Sequence, residues 1–245
     1  MSQVLAEKKL AFAETVANLI TEDDEPVDNV FSEKQQRLLA EPLYSSWTPP
    51  IEEGIEENPR NFLAAVNVGV FFSVNEYPLV PDMFLSLDIE INPERLAEEQ
   101  RSYFVWEFGK VPEVVVEIVS NRKGNELTSK LRTYSRWGVT YYVVFDPMQE
   151  LGETILQIYE LGFGKRFRLR DDFVLPEVGL SLKIWRGRFE NVEDDWIRWC
   201  DAEGNLILSG VERAEIETER AEFEHQRAER MAEKLRELGI DVENL

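Results

Sequence analysis

The sequence predicts an α/β fold, an α+β arrangement built on one mixed sheet, and three patterns support it. Residues 111–119 form a near-continuous apolar run, which is typical of a strand buried on both faces. Residues 126–137 carry apolar side chains at helical spacing, and a second apolar strand follows at 139–146. A strand, a helix of about three turns and a strand in this order form a βαβ unit. Short alternating strands between 154 and 209 are expected to extend the sheet antiparallel.

The composition indicates a globular protein and limits the metal chemistry that it can carry. The 245 residues are 43% hydrophobic and 31% charged, so the chain can bury one sizeable core and keep a polar surface. No run approaches the roughly 18 apolar residues of a membrane span, and a cytoplasmic location is expected. The single cysteine, Cys200, and the single histidine, His225, exclude an internal disulfide and multi-cysteine or paired-histidine metal sites. Any metal site must therefore use carboxylates.

Charge is distributed unevenly along the chain. The formal net charge is −21, which disfavours indiscriminate binding to nucleic acid. A local basic stretch nevertheless follows the first buried strand, and Glu126 is its one acid. Its bases are Arg122, Lys123, Lys130, Arg132 and Arg136. This stretch leaves a phosphate-binding patch open, although a merely solvated helix face is the commoner outcome of such a pattern.

The sequence divides into three predicted segments. These are an acidic N-terminal extension at residues 1–30, a folded domain at 31–210 and a helical tail at 211–245. Within the domain, a helix is predicted to begin near Ser32, which has Gln35 at capping-box spacing, and to stop before Pro42. An apolar strand is predicted to begin near Leu79.

The tail carries a seven-residue repeat. Arg-Ala-Glu occurs at 213, 220 and 227, a spacing typical of a coiled coil. One seam position would hold Ala214, Ala221, Ala228 and Leu235, and the other Glu217, Glu224, Met231 and Leu238. Glutamates weaken such a seam, so a solvated charged helix is an equal alternative.

Two acids interrupt apolar strands. Glu117 lies inside the buried run "VPEVVVEIVS" (111–120), and Asp82 follows a Val-Pro pair at the start of another strand. A carboxylate removed from water is costly unless it is paired, protonated or bound to a metal. Neighbouring strands lie about 4.8 Å apart, so both acids can ligate one Mg²⁺ or Mn²⁺, joined by the backbone carbonyl of Ile118. Lys130, on the following helix, can fold back to stabilise negative charge or orient water.

These residues carry a resemblance to a known family. The segments "VPD" (80–82), "PEVVVEIVS" (112–120) and "GNELTSKLRTYSRWGVTYYVVFDP" (124–147) resemble the Uma2 family, a branch of the PD-(D/E)XK nuclease superfamily. The similarity extends over residues 32–200. It implies a restriction-endonuclease-like αβββαβ core with extra C-terminal strands and a charged C-terminal helix. It also implies metal-dependent hydrolysis of DNA phosphodiester bonds, with Asp82 and Glu117 as the ligands of Mg²⁺ or Mn²⁺.

The chain departs from the superfamily pattern at one position. The superfamily places a lysine two residues after the second acid, and this chain has Val119 there. The Uma2 family is similar in lacking it and supplies the lysine from the following helix, which maps to Lys130. A helical acid joins some superfamily sites, and the sequence offers Glu33 and Glu41 without distinguishing between them.

Three functions fit these residues. The first is a Mg²⁺-dependent DNA endonuclease, in which Arg122, Lys123 and Arg136 contact the phosphate backbone. The second is a catalytically degenerate binding or scaffolding protein that assembles through its tail, which the net charge of −21 and the missing strand lysine favour. The third is a metal hydrolase acting on a small phosphorylated substrate. A homodimer is compatible with the first function, because superfamily nucleases that cut both strands often work as dimers.

A reading without a metal also remains open for the site residues. In it, Glu117 is a buried acid paired with Arg132 or Lys130, and Asp82 caps a turn. For Lys130 the separate alternative is an ordinary surface lysine.

Overall fold

A six-stranded mixed sheet organises the larger part of the chain. The structure is a computed structural model that describes residues 29–50, 60–89, 102–120 and 124–237. The chain divides into two compact units, Met1–Ile207 and Leu208–Leu245. The predicted N-terminal extension lies almost wholly outside the described residues.

The described residues contain four α-helices and eleven strands. The helices are α1 (Val30–Ser46), α2 (Val105–Phe108), α3 (Leu131–Trp137) and α4 (Gly210–Glu237), with a π-helical turn at Glu126–Lys130 and a 3₁₀ turn at Pro176–Val178. The strands are β1 (Phe62–Val66), β2 (Val70–Phe71), β3 (Met83–Leu87), β4 (Tyr103–Phe104), β5 (Val114–Ile118), β6 (Tyr141–Phe145), β7 (Leu156–Gly162), β8 (Arg166–Leu169), β9 (Val174–Leu175), β10 (Leu180–Phe189) and β11 (Val192–Cys200).

The strand order of the main sheet is β1-β3-β5-β6-β7-β8. β5 and β6 are parallel and are connected through the π-helical turn and α3, as a βαβ unit requires. The other neighbours in this sheet are antiparallel. The mixed sheet confirms the predicted α/β class, and the arrangement is consistent with a restriction-endonuclease-like α+β fold.

The last three strands do not extend the main sheet. β9, β10 and β11 form a separate antiparallel sheet, so the prediction that the later strands extend the main sheet was right for β7 and wrong for β10 and β11. β8 also joins the main sheet, although no strand was predicted there. Residues 205–209, which were predicted as a strand, contribute only an isolated bridge between Leu206 and Cys200.

The β10–β11 hairpin has an apolar face of its own, on which Leu182, Ile197 and Trp199 are buried. Packing this face onto the core of the main sheet as a second layer buries it. A position at the edge of the main sheet would not bring it against that core.

α1 differs from the sequence prediction at both ends. Its N-cap is Asn29, whose Oδ1 accepts a hydrogen bond from the Ser32 N–H at 2.9 Å, so Ser32 lies inside the helix. Pro42 also lies inside the helix, although proline removes a helical hydrogen bond. Leu39 and Leu43 are fully buried beside it, and this packing outweighs the lost bond.

The two faces of the main sheet have separate cores. On β5, Val114 and Val116 face the core that α1 and the second sheet share. Val115 and Val119 face the other core, to which α3 contributes. Because side chains alternate along a strand, Glu117 points to the α3 side, between Val115 and Val119.

The tail helix α4 begins with a capping box. Ser209 N–H donates to Glu212 Oε2 at 2.8 Å, and Glu212 N–H donates to Ser209 Oγ at 3.2 Å. Nearly all of its described side chains are exposed, including Phe223 and Met231. The coiled coil stays a prediction, and its last seam residue, Leu238, lies outside the described residues. In the part of the chain that is described, no helix is long and apolar enough to cross a bilayer.

A chain that ends after Gly210 is expected to keep the first unit folded. It retains Ile207, whose N–H donates to the Trp199 carbonyl at 2.9 Å and whose carbonyl accepts from Arg198 at 3.1 Å. Calorimetry should show cooperative unfolding with a Tm within about 4 °C of the full chain, equivalent to about 1 kcal/mol. A chain ending after Gly204 lacks Ile207 and should lose more. Non-cooperative unfolding of the Gly210 variant would show that the tail belongs to the core.

Candidate active site

The pairing register of β3 and β5 brings the two predicted acids together. Met83 lies opposite Val116 in this antiparallel pair. One step further, Asp82 comes opposite Glu117. The register ends there, and Asp82 Oδ2 accepts a hydrogen bond from the Ile118 N–H at 2.7 Å. The structure thus places Asp82, Glu117 and Ile118 at the same end of two neighbouring strands.

Glu117 is a buried carboxylate with a partner on each oxygen. Its side chain is 2% exposed. Lys130 Nζ donates to Oε2 at 2.8 Å, and the Tyr134 hydroxyl donates to Oε1 at 2.9 Å. The acid and the lysine that the sequence selected are therefore in direct contact.

Burial decides the protonation of this group. Loss of water raises the pKa of Glu117 to about 7, Lys130 opposes the shift, and Asp82 adds to it. The two hydrogen bonds therefore offset only part of the cost of burying the charge. Burial also holds the pKa of Tyr134 well above its usual value, so the phenol stays a neutral donor.

Lys130 remains a cation in this environment. Burial lowers the pKa of Lys130, but the carboxylates of Glu117, Glu126 and Asp82 outweigh it, and the pKa ends above its usual value. The ammonium is therefore available as a fixed positive charge beside the acids.

A π-helical turn delivers Lys130 to the site. The Lys130 N–H donates to the Asn125 carbonyl, five residues earlier, at 3.2 Å. Such turns are rare, occur mostly as single turns within α-helices, and are frequent at functional sites. Lys130 and Tyr134 are four residues apart, so they lie on one side of the helix and reach the two oxygens of Glu117.

Gln36 is a site residue that the sequence analysis missed. Its Nε2 donates to Asp82 Oδ1 at 2.7 Å, and its Oε1 accepts from Asn67 Nδ2 at 2.8 Å. Both oxygens of Asp82 are thus held, one by Gln36 and one by the Ile118 N–H. A signal was available, because Gln36 is a polar residue on the same helical face as Leu39 and Leu43.

The helical acids considered from the sequence lie elsewhere. Glu33 pairs with Arg37 at 2.9 Å on the exposed part of α1. Glu41 accepts a hydrogen bond from Ser45 and is also on the exposed part. The structure brings neither to Asp82, and the position on α1 that contacts Asp82 is an amide rather than an acid.

The basic residues near the site are only partly described. Arg122 and Lys123 lie outside the described residues. Arg132 is exposed. Arg136 forms a two-bond ion pair with Glu76, at 2.8 and 2.7 Å, so contact with a phosphate would require it to leave Glu76.

The donor set fits a hard divalent cation. Among the described residues no group of three or more His, Cys, Asp or Glu is placed to hold a metal, so Asp82 and Glu117 would act as a pair. Magnesium sites often use one or two carboxylates and complete the sphere with water and substrate phosphate. The raised pKa of Glu117 is a second point of fit, because a cation would offset the remaining burial cost. The Ile118 carbonyl stays a predicted third donor.

The fold and the site define a class. A mixed sheet with an acid pair at the ends of adjacent strands, and a lysine from the following helix, is a restriction-endonuclease-like arrangement. The family model Uma2, described as "Putative restriction endonuclease", matches residues 26–177, which is more than half of the chain. The chain therefore belongs to the Uma2 family. No curated protein matches it.

The raised pKa of Glu117 predicts a specific pH dependence of stability. Between its ordinary value of 4.5 and about 7, the folded chain keeps a proton that the unfolded chain releases. The stability from this group is complete below pH 4.5 and is lost as the pH rises through about 7. The free energy of unfolding of the wild type should therefore fall, relative to Glu117→Gln, by on the order of 3 kcal/mol over this range.

Urea unfolding of both proteins with EDTA at a series of pH values measures this difference. Carboxylates that do not interact with Glu117 contribute equally to both proteins and cancel in the comparison. Parallel stability curves would show that Glu117 titrates as an ordinary glutamate.

Proposed function

We propose that this chain is a divalent-cation-dependent endonuclease that hydrolyses phosphodiester bonds in DNA. The observation that carries the proposal is the contact set at the ends of β3 and β5, where Asp82 lies opposite Glu117 and Lys130 touches Glu117. Membership of the Uma2 family supports nuclease chemistry independently of this geometry.

Asp82 and Glu117 would hold the cation, Mg²⁺ or Mn²⁺, with the Ile118 carbonyl. When bound, such a cation activates water and neutralises charge on the phosphate. Neighbouring groups already hold the two acids in place by hydrogen bonds. Gln36 and the Ile118 N–H fix the orientation of Asp82, and Tyr134 fixes one oxygen of Glu117. Ligands held in this way need little rearrangement on binding.

Lys130 would stabilise the negative charge that develops on the phosphate during cleavage. Its ammonium is a fixed cation next to the acids, in a site that is largely shielded from water, where a charge acts more strongly than at the surface. Val119, the position of the superfamily lysine, is 1% exposed in the core beneath α3. Lys130 of the helical segment would therefore supply the positive charge that β5 lacks.

Contact with DNA would depend on a local basic surface. The net charge of −21 opposes approach of a polyanion. Arg132 is exposed on α3. Arg122 and Lys123 precede the π-helical turn in the sequence. These residues are proposed to bind phosphates close to the acids, with Arg136 joining if it exchanges Glu76 for a phosphate.

A scaffolding function is the second candidate, and one observation favours it. Lys130 and Tyr134 each donate a hydrogen bond to one oxygen of Glu117, and a buried acid with both oxygens partnered is also what a structural group of a degenerate site requires. In that case the exposed tail helix would mediate assembly. The cytoplasmic location, the homodimer and the coiled coil stay predictions from the sequence.

Divalent cations should stabilise the wild type more than variants of either acid. Mg²⁺ or Mn²⁺ binds the folded chain and should raise its Tm by several degrees at saturating concentration. Asp82→Asn and Glu117→Gln should lose this response, whereas Asp171→Asn, which removes an exposed carboxylate, should keep it. Differential scanning fluorimetry measures the shifts. Equal Tm shifts in all four proteins would show that Asp82 and Glu117 do not bind the cation.

Lys130→Ala should slow cleavage without removing cation binding. The ammonium acts on charge that grows in the transition state, so the rate should fall about a hundredfold or more. The Mn²⁺-induced rise in Tm should persist, because the substitution removes no metal ligand. Lys183→Ala, at an exposed position on β10, is the matched control.

The assay is nicking of supercoiled plasmid at low ionic strength, where phosphate contacts are least screened. If Lys130→Ala cleaves plasmid at the wild-type rate, the role proposed for Lys130 in catalysis is wrong. If wild type cuts no DNA although it binds the cation, the scaffolding function becomes the better conclusion.

A further inference from the structure

Glu126 is a second buried carboxylate beside the site, and the mechanism above gives it no role. Its residue is 5% exposed, and its Oε2 is buried without a hydrogen-bond partner. A buried charged oxygen without a partner is costly, so its retention needs a physical reason. Its other oxygen, Oε1, lies 3.9 Å from Lys130 Nζ.

The local chain is built around this carboxylate. A Cβ on Gly124 would overlap the Glu126 carboxyl group, at 2.6 Å from its Cδ and 2.9 Å from Oε2. Glycine at 124 therefore leaves the space that the carboxylate occupies. The Tyr142 hydroxyl donates to the Glu126 carbonyl at 3.1 Å and ties the start of the π-helical turn to β6.

The Lys130 ammonium lies between two carboxylates and donates a hydrogen bond to only one of them. It is 2.8 Å from Glu117 Oε2 and 3.9 Å from Glu126 Oε1. A divalent cation bound to Glu117 Oε2 would compete with this ammonium for the same oxygen and repel its positive charge. A displaced ammonium needs another acceptor because a buried, unpaired cation is strongly unfavourable. Glu126, whose Oε1 lies 3.9 Å from the ammonium, is placed to accept it after a movement of about 1 Å.

We propose that Glu126 is the positioning residue for Lys130, and that it holds the ammonium beside the acids whenever Glu117 serves as a metal ligand. The inference rests on the proposed function and adds Glu126 to the side chains that position its reacting groups. Lys130 then has two acceptors on neighbouring elements, Glu117 on β5 and Glu126 at the start of the π-helical turn. The spacing of four residues between Glu126 and Lys130 keeps the acceptor within reach of the same ammonium.

Kinetics on supercoiled plasmid give the first test. Glu126→Gln keeps the shape but not the charge, and kcat should fall at least about tenfold while KM and the Mn²⁺ response of Tm change little. Glu126→Asp restores the charge on a shorter side chain and should recover part of the loss. Gly124→Ala keeps every charge but displaces the carboxylate, and should also lower kcat.

The matched control is Glu153→Gln, at an exposed position in the loop after β6, which should cleave like wild type. Wild-type kcat in both Glu126→Gln and Gly124→Ala would overturn the proposal. If Glu126→Gln does not unfold cooperatively, Glu126→Asp and Gly124→Ala take its place in the test. Both keep the negative charge but move it, and kcat falls in them only if Glu126 positions Lys130.

A double-mutant cycle gives a second test that needs no cleavage. Tm is measured for wild type, Glu126→Gln, Lys130→Met and the double variant, with EDTA and with Mn²⁺. The non-additivity between positions 126 and 130 should be larger with Mn²⁺, since the ammonium then depends on Glu126. Non-additivity that is unchanged or smaller with Mn²⁺ would contradict the proposal.

The same cycle in a Glu117→Gln background separates this inference from the proposed function. Removing the competing carboxylate should increase the non-additivity even with EDTA. If wild type neither binds Mn²⁺ nor cuts DNA, yet this increase is found, the nuclease function fails and Glu126 still positions Lys130. If the increase is absent, Glu126 does not hold the ammonium, whatever the protein does to DNA.

Discussion

The site depends on the register in which β3 and β5 pair. Met83 lies opposite Val116, and this alone determines that Asp82 comes opposite Glu117. A shift of one residue would exchange the two faces of β3 and move its apolar side chains out of the cores that they fill. All five residues of each strand are buried, so the packing energy of both cores resists such a shift. The geometry of the acids is therefore enforced by apolar residues that take no part in the chemistry.

A second constraint is the cost of burying Glu117. The carboxylate lies in an apolar strand, and its partners come from a single helical segment that crosses the α3 side of the sheet. Lys130 and Tyr134 offset part of the cost, which is why the pKa of Glu117 rises only to about 7 instead of further. A group with this pKa changes charge close to neutral pH.

The sequence was sufficient for those features that depend on local pattern. The apolar run around Glu117, the helical spacing after Asn125 and the stop at Gly138, which has φ of 100°, all predict elements that the structure contains. The adjacency of Asp82 and Glu117 also followed from two interrupted apolar strands.

Features that depend on packing between distant segments could not be derived in the same way. Proline usually ends a helix, but Pro42 is retained because burial of its neighbours on α1 outweighs its local cost. The separation of β9–β11 into a second sheet depends on which core their apolar face joins. Gln36 shows the limit most clearly, because amphipathic spacing marks it as unusual but only the fold shows that it binds Asp82.

Two consecutive glutamines on α1 connect the second sheet to the acids. Gln35 exchanges two hydrogen bonds with the backbone of Ile197 on β11, each 2.9 Å long, so its amide behaves like one further peptide unit at the edge of that strand. The next residue, Gln36, holds Asp82. Because Gln35 and Gln36 are adjacent on one helix, a displacement of the hairpin would also move the amide that holds Asp82. A sheet that supplies none of the proposed site residues therefore helps to set how accurately Asp82, the proposed metal ligand, is aligned.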